Sequence, residues 1–286
     1  MVRQSCETNN LRPLWDALLE VFQAYVQVCK KHGLRYSLAY GSALGAIRHG
    51  GFIPWDDDLD VQMPRPDYEK FLALAPRELP EWFKVVNWRN TPEFPLVYSK
   101  IQDTREGHVL AVEKAVGYKL SGGVFIDIFP IDGAPEDKNW NRWWKLRFKV
   151  SSLIMQYRDR DGMRLDLHGM KRMICALFYF LCPIWRNRRE IISKFEALIR
   201  TFPYESSRIT GSTTTIPYFE FEFSRSIWDP CREVPFEKTM AFVPHDVDAY
   251  LKIKFGDYMR LPPEEKRVTR HSYSYRCPWW LGSTRN

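Results

Sequence analysis

Four aspartates lie close together in the first quarter of the chain, in the run Asp56-Asp57-Asp58-Leu59-Asp60. The run leads into hydrophobic residues and is therefore expected to enter a buried strand, in which alternate residues share a face. Asp56, Asp58 and Asp60 would then lie on one face, where their negative charges repel one another. A divalent cation relieves that repulsion. Carboxylate oxygens suit Mg²⁺ or Mn²⁺, which are commonly shared with substrate phosphates.

Two further features can complete a site around such a cation. Gly41 and Ser42 lie at the end of a predicted strand and before a predicted helix. Glycine lets a phosphate approach the backbone, serine supplies a hydroxyl, and a helix N-terminus supplies N–H donors. Asp127 stands among apolar strand residues, where a lone carboxylate is costly unless it meets a metal or a partner. Each feature alone is also typical of a solvated turn or a strand-end cap, but together they predict a site for a metal-bound phosphate.

The elements that must position these residues alternate between helix and strand. Apolar residues recur at helical spacing over 11–32, and Gly33 stands at the expected C-cap. A helix whose first turn contains Pro64 and Pro66 is predicted after the acidic run. A further short helix is predicted over 43–48, and strands over 34–40, 58–63, 84–88, 97–102, 109–112 and 124–129. This alternation predicts an α/β (α+β) catalytic core over residues 11–135.

The remainder of the chain has a different character. Residues 136–205 are rich in basic and aromatic side chains and are predicted to form a helical insertion. Residues 206–286 are predicted to form a C-terminal segment that completes the catalytic domain, with a helix over 246–255. Within the insertion, the thirteen apolar residues 173–185 are flanked by Lys and Arg. As a helix they would span about 20 Å, short of the roughly 30 Å of a bilayer core. The segment predicts peripheral contact with an anionic membrane, with a buried core helix as the alternative.

Composition narrows the function classes. The 286 residues are 45% hydrophobic and 27% charged, which excludes disordered, collagenous and coiled-coil proteins. Lys and Arg number 42 against 35 Asp and Glu, so the surface is expected to attract polyanions. Six cysteines without a Cys-x-x-Cys spacing favour a reducing compartment over a disulfide scaffold or a zinc site. The polar N-terminus resembles no export signal. We therefore expect a cytoplasmic protein, peripheral on the inner face of the plasma membrane.

Three stretches of the sequence resemble the LicD family. The longest runs from Leu38 to Asp60, and the others are Val124 to Gly133 and Phe255 to Arg267. Members of this family are nucleotidyltransferase-fold enzymes that transfer phosphocholine, and the fukutin-related ribitol-phosphate transferases are relatives. The resemblance extends from about residue 15 to about residue 275, with a weaker centre. It implies a nucleotidyltransferase-fold core with a mixed sheet.

The resemblance also implies roles for individual residues. Gly41 and Ser42 match the motif that holds the nucleotide phosphates. Asp58 and Asp60 match the paired metal-binding carboxylates, and Asp127 matches a third acid that acts as base or as metal ligand. Fifteen residues separate Ser42 from Asp58, which is long for the general fold. Which of the three consecutive aspartates pairs with Asp60 is therefore open.

Basic residues are the remaining candidates for substrate binding. Arg48 follows the Gly-Ser pair closely enough to contact phosphate. The resemblance of the closing basic segment implies phosphate or acceptor contacts for Lys266, Arg267 and His271. A solvated charged loop is the alternative for each of them.

The implied reaction is metal-dependent transfer of phosphocholine, or a similar alcohol phosphate, from a CDP-activated donor. The acceptor would be a cell-surface glycan or its lipid-linked precursor, such as lipopolysaccharide or teichoic acid. A nucleotide-sugar glycosyltransferase, a nucleotidyltransferase with another acceptor, and a non-enzymatic basic binding module are the alternatives. The acidic run argues against polyanion binding at that face, and no nucleic-acid motif is present, so no nucleic-acid partner is expected.

Overall fold

The computed structural model describes residues 11–91, 94, 96–105, 109–112, 121–137, 142–144, 146–147, 188–215, 218–269 and 273–274. The apolar segment 173–185 and His271 lie outside the described residues. Among the residues that are described, no helix combines the length and the hydropathy needed to cross a membrane.

The described helices and strands alternate through the first half of the chain, as the sequence predicts. The helices are α1 (Arg12–His32), α2 (Tyr40–His49), α3 (Arg65–Glu78), α4 (Arg188–Ile199), α5 (Arg225–Trp228) and α6 (Val247–Phe255). The strands are β1 (Ser37–Leu38), β2 (Asp60–Pro64), β3 (Phe83–Val86), β4 (Ser99–Asp103), β5 (Val109–Val112), β6 (Ser121–Gly123), β7 (Phe125–Ala134), β8 (Ile209–Thr215), β9 (Tyr218–Ser224), β10 (Arg232–Phe236), β11 (Thr239–Val243) and β12 (Tyr273–Ser274).

A mixed sheet forms the centre of the molecule. Its strands lie in the order β1-β2-β7-β4-β3, and β8 pairs with both β7 and β9. β2 and β7 run parallel, whereas β1 pairs with β2, and β4 with β7, in antiparallel fashion. Smaller sheets are made by β10 with β11 and by β12, β5 and β6. The prediction of an α/β protein with a mixed sheet is confirmed.

Helix α1 covers this sheet because its apolar residues recur at helical spacing. Leu18, Phe22 and Tyr25 are among its fully buried side chains. Gly33 ends the helix with φ +62°, a left-handed conformation that glycine adopts without steric cost. The predicted helix over 11–32 and its glycine cap are therefore confirmed.

Two local predictions around the acidic run are wrong. The strand predicted over 34–40 is limited to Ser37–Leu38, because Tyr40 takes φ +43° and turns the chain into α2 three residues earlier than expected. The strand predicted from Asp58 begins at Asp60. Before it, the amide of Asp56 donates to the carbonyl of Ile53 at 2.8 Å, closing a turn that keeps the chain out of the sheet.

A buried ion-pair network fixes the far ends of β2 and β7. Arg65, the first residue of α3, donates to both oxygens of Asp132 on β7 at 2.8 and 2.6 Å. It also donates to Glu196 on α4 at 3.2 Å. These three side chains are nearly inaccessible to solvent, so each needs its partners. Helix α4, within the predicted insertion, is thereby joined to the central strands. The boundaries at 136 and 205 remain a prediction.

Candidate active site

The start of β2 and the start of β7 bring two acidic residues side by side. In the parallel pairing of these strands, Asp60 lies directly opposite Asp127. The amide of Asp127 donates to the carbonyl of Leu59 at 3.0 Å, which extends the pairing by one residue. Adjacent strands are about 4.8 Å apart, so two carboxylates in register are close neighbours. Asp60 and Asp127 thus lie side by side near the N-terminal ends of two neighbouring strands of the central sheet.

The other predicted acids lie in the loop that precedes β2. One carboxylate oxygen from each of Asp56, Asp57 and Asp58 lies within 4.8 Å of the others. Three carboxylate oxygens this close together could hold one divalent cation. The expectation that alternate residues of a strand create the cluster is wrong, since only Asp60 is in the strand. A loop conformation, held by the Trp15 indole donating to the Asp56 carbonyl at 2.9 Å, produces it instead.

Helix α2 places Gly41 and Ser42 against these acids. A β-carbon on Gly41 would lie 2.7 Å from Oδ2 of Asp56, a distance that real side chains do not tolerate. Glycine therefore allows the Asp56 carboxylate to lie against the first turn of the helix. A phosphate that approached Gly41 would meet this negative charge, and a cation between the two would offset the repulsion.

Ser42 connects the helix to the strand. Its buried Oγ accepts a hydrogen bond of 2.8 Å from the backbone amide of Asp60. Gly45 gives a second close approach, because a β-carbon there would be 2.4 Å from the carbonyl oxygen of Gly51. The two glycines and the serine of the motif thus pack α2 against the acidic loop. This structural role accompanies the phosphate contact predicted for Gly41 and Ser42.

The electrostatic environment of Asp60 is unfavourable to its negative charge. Burial raises the pKa of Asp60 well above its ordinary value, and the nearby charges of Asp58, Asp127 and Asp56 raise it further. Lys100 opposes the effect but does not outweigh it. A bound cation would offset the repulsion that further raises the pKa of Asp60.

Lys100 and Tyr98 belong to this site, although the sequence analysis missed both. Lys100 lies opposite Asp127 in the pairing of β4 with β7, and its Nζ is 2.5 Å from Oδ1 of Asp127. Burial, followed by the charges of Asp127, Asp60 and Asp58, raises the pKa of Tyr98. The strand at 97–102 is predictable from its apolar residues. The register that brings it to Asp127 has no local sequence signal.

The structure places the basic candidates at the edge of the acidic loop or apart from it. Arg48 donates to the carbonyl of Tyr258 at 2.6 Å, and burial lowers its pKa. The guanidinium of Arg267 lies 5.8 Å from the ring centre of Trp55, the residue before Asp56. Lys266 is exposed in the short turn Glu264–Lys266. His271 lies outside the described residues.

We expect the contribution of Asp60 to the stability of the metal-free protein to fall as the pH rises from about 4 toward neutrality. The raised pKa of Asp60 means that the folded state still holds a proton where the unfolded chain has released it. Through this group, rising pH favours unfolding over this interval. Asp60→Asn should remove this contribution, so that the variant gains stability relative to the wild type as the pH rises toward 7. Denaturant titrations in chelator over a pH series measure both effects.

Asp248→Asn is a matched control with the opposite sign. Hydrogen bonds from Lys252 and Tyr258 lower the pKa of this exposed aspartate, so its contribution to stability is lost as the pH falls. The control should retain the contribution of Asp60 and should not gain stability relative to the wild type as the pH rises. Equal pH slopes for the wild type and Asp60→Asn would contradict the prediction.

Comparisons with known proteins identify a family domain that spans these residues. Residues 33–166 match the family described as LicD/FKTN/FKRP, nucleotidyltransferase domain. The matched stretch contains α2, the acidic loop, β2 and the whole of β7. The paired carboxylates, Lys100 and the two motif glycines therefore all lie within it.

Individual relatives cover different shares of the chain. Over 258 residues, 88% of this chain and 92% of the relative, the sequence is 26% identical to the lipopolysaccharide cholinephosphotransferase LicD of Haemophilus influenzae. Over 45 residues it is 51% identical to the human ribitol 5-phosphate transferase FKRP, which covers 16% of this chain and 9% of that protein. An uncharacterized protein of Rickettsia typhi is 32% identical over 73 residues, 26% of this chain and 22% of the relative. A family domain over 33–166 and a similarity to LicD along most of the chain confirm the resemblance to the LicD family that the sequence motifs indicate.

Proposed function

We propose that this protein transfers phosphocholine, or a similar alcohol phosphate, from a CDP-activated donor to a hydroxyl group of a cell-surface glycan or its lipid-linked precursor. The observation that carries the proposal is the meeting of the Asp56–Asp58 loop with Asp60 and Asp127 beside Gly41 of α2. The names of the relatives, a cholinephosphotransferase and a ribitol 5-phosphate transferase, support the same class of reaction.

We propose that Asp58 and Asp60 hold a divalent cation, Mg²⁺ or Mn²⁺, with Asp56 and Asp57 close enough to share it. The donor set consists of hard oxygen ligands, and the three loop carboxylates have suitable spacing. When bound, such a cation neutralises the diphosphate of a nucleotide donor and the charge that develops on the leaving phosphate. Gly41 and the N–H groups of the first turn of α2 are proposed to receive the phosphates.

Asp127 is assigned to the acceptor. Its charge is already balanced by Lys100, so it can face the acceptor without a cation of its own. The acceptor oxygen forms a bond to the distal phosphorus while the bond from that phosphorus to the CMP oxygen breaks. Asp127 orients the acceptor hydroxyl and takes its proton. The family resemblance equally implies that Asp127 is a third metal ligand. In that case Asp127→Asn would lose metal binding.

Basic residues near the acidic loop are proposed to bind the donor or the acceptor. Arg267 lies over Trp55, and Arg48 joins α2 to the segment around Tyr258. Both therefore lie on the side of the site that the C-terminal segment covers. Lys266 and His271 are proposed contacts for the same substrates, on the basis of the family resemblance alone.

A peripheral contact with an anionic membrane, on the cytoplasmic side, is part of the proposal. It is supported by the net charge of +7 and by the basic residues that flank the apolar segment 173–185. Cosedimentation with vesicles containing anionic lipid tests it. Charge reversal at Arg188 and Arg189 should weaken binding mainly at low salt, where screening is least.

A screen of nucleotide donors tests the reaction itself. The purified protein is incubated with CDP-choline, CDP-ribitol, CDP-glycerol and sugar nucleotides, and the released nucleotide is measured with Mg²⁺ or Mn²⁺. We expect metal-dependent release of CMP from at least one CDP-alcohol. Release of a nucleoside diphosphate from a sugar nucleotide alone would instead identify a glycosyltransferase and overturn the proposal.

A further inference from the structure

Lys100 is a nearly inaccessible cation at the centre of the sheet. It lies on β4 directly opposite Asp127 of β7, and only 8% of its surface is exposed. Its Nζ is 2.5 Å from Oδ1 of Asp127 and 3.6 Å from the centre of the Phe125 ring. A buried ammonium group is energetically costly unless a partner compensates its charge. Loss of either partner of this pair should therefore cost more than loss of a partner in an exposed ion pair on a helix.

The geometry restricts both partners of the pair. Phe125 and Asp127 are two residues apart on one strand and therefore share a face, so Lys100 lies across both. The ring of Tyr98, 5.7 Å from Nζ, bounds the ammonium group further. Contacts with aromatic faces stabilise a cation and limit the directions in which its flexible chain can move. One oxygen of Asp127, Oδ1, is consequently held in place by Lys100.

We propose that Lys100 is a positioning residue for the transfer: it holds Oδ1 of Asp127 so that Oδ2 meets the acceptor hydroxyl, and its fixed positive charge weakens divalent-cation binding at the acidic cluster. The inference rests on the function proposed above. It adds a cost to that function, because the positive charge that orients Asp127 repels a cation bound at the acidic cluster.

Replacement of Lys100 by methionine separates these effects from a general loss of structure. Lys100→Met keeps the length and the apolar stem of the side chain but removes its charge. We expect turnover at saturating Mg²⁺ to fall about 100-fold, on the scale of a misplaced reacting group. Binding of Mn²⁺ to the metal-free protein, measured by electron paramagnetic resonance without donor, should become roughly threefold tighter or more, because a repelling charge is gone. Lys100→Arg should retain part of the turnover.

Controls keep the test decisive. Lys84→Met removes an exposed lysine from the neighbouring strand β3 and should change neither turnover nor Mn²⁺ binding. If Lys100→Met does not fold, as judged by circular dichroism, Lys100→Met with Asp127→Asn removes both charges together. That double variant should bind Mn²⁺ more tightly than Asp127→Asn alone.

The two hypotheses can fail separately. Unchanged turnover in folded Lys100→Met, or Mn²⁺ binding that is unchanged or weaker, would overturn the role of Lys100. If Lys100→Met binds Mn²⁺ more tightly but the wild-type protein is inactive on every donor, the proposed function is overturned. The effect of the Lys100 charge on cation binding would still stand.

Discussion

Asp58→Asn and Asp60→Asn should each lower the turnover of the transferase by about 100-fold or more, the scale on which electrostatic stabilisation of a transferred phosphoryl group is lost. Asparagine has nearly the same shape as aspartate but cannot supply the anionic oxygen that a divalent cation requires. The folded state should survive both changes. Removal of Asp58 also relieves the repulsion that contributes to the raised pKa of Asp60. The measurement is CMP release at saturating donor, with circular dichroism on the same samples.

The same experiment can resolve which loop aspartate pairs with Asp60. Asp56→Asn, Asp57→Asn and Asp58→Asn are compared at equal protein and metal concentrations, and the largest loss identifies the partner. Asp257→Asn, at an exposed position outside the acidic cluster, serves as the control and should keep wild-type turnover. Near-normal activity in Asp60→Asn would show that the metal pair has been assigned wrongly.

Removal of divalent cations should abolish turnover almost completely, and Mg²⁺ or Mn²⁺ should restore it. Burial and then the carboxylates of Asp58, Asp127 and Asp56 raise the pKa of Asp60, and the positive charge of Lys100 does not outweigh them. A nucleotide diphosphate would add further negative charge at the same place. Without a cation, the donor is expected to bind poorly and the leaving phosphate to lack stabilisation.

The chelation experiment requires a structural check. Circular dichroism in excess chelator should show a folded protein, since the cores of the sheet and of α1 need no metal for their packing. Readdition of Mg²⁺ then distinguishes metal removal from irreversible damage. Full turnover in excess chelator would contradict the assignment of this cluster as a metal site.

Local chemistry made several parts of the molecule predictable from sequence. The helical spacing of buried residues such as Phe22 identifies α1, and Gly33 identifies its end, because these signals act within one or two turns. Asp246, whose side chain accepts from the amide of Ala249 at 3.0 Å, similarly marks the start of α6. The motif from Gly41 to Asp60 was recognisable for a related reason. Gly45 packs against the backbone of Gly51 too closely for a β-carbon, and a β-carbon at Gly41 would displace the Asp56 carboxylate, so the motif requires glycine at both positions.

Tertiary structure alone decided how the acids meet. Nothing in the local sequence states that β2 pairs in parallel with β7, that Asp60 faces Asp127, or that Lys100 lies on the other side of Asp127. Register is set by the burial of whole strand faces and by the loops that join them, which involve residues far apart in the chain. The conformation of the acidic loop depends equally on distant contacts, such as the Trp15 indole from α1. The residue types in the sequence therefore led to the expectation of a cation site. The pairing of the strands decided which carboxylates lie close together, and it placed a lysine next to one of them.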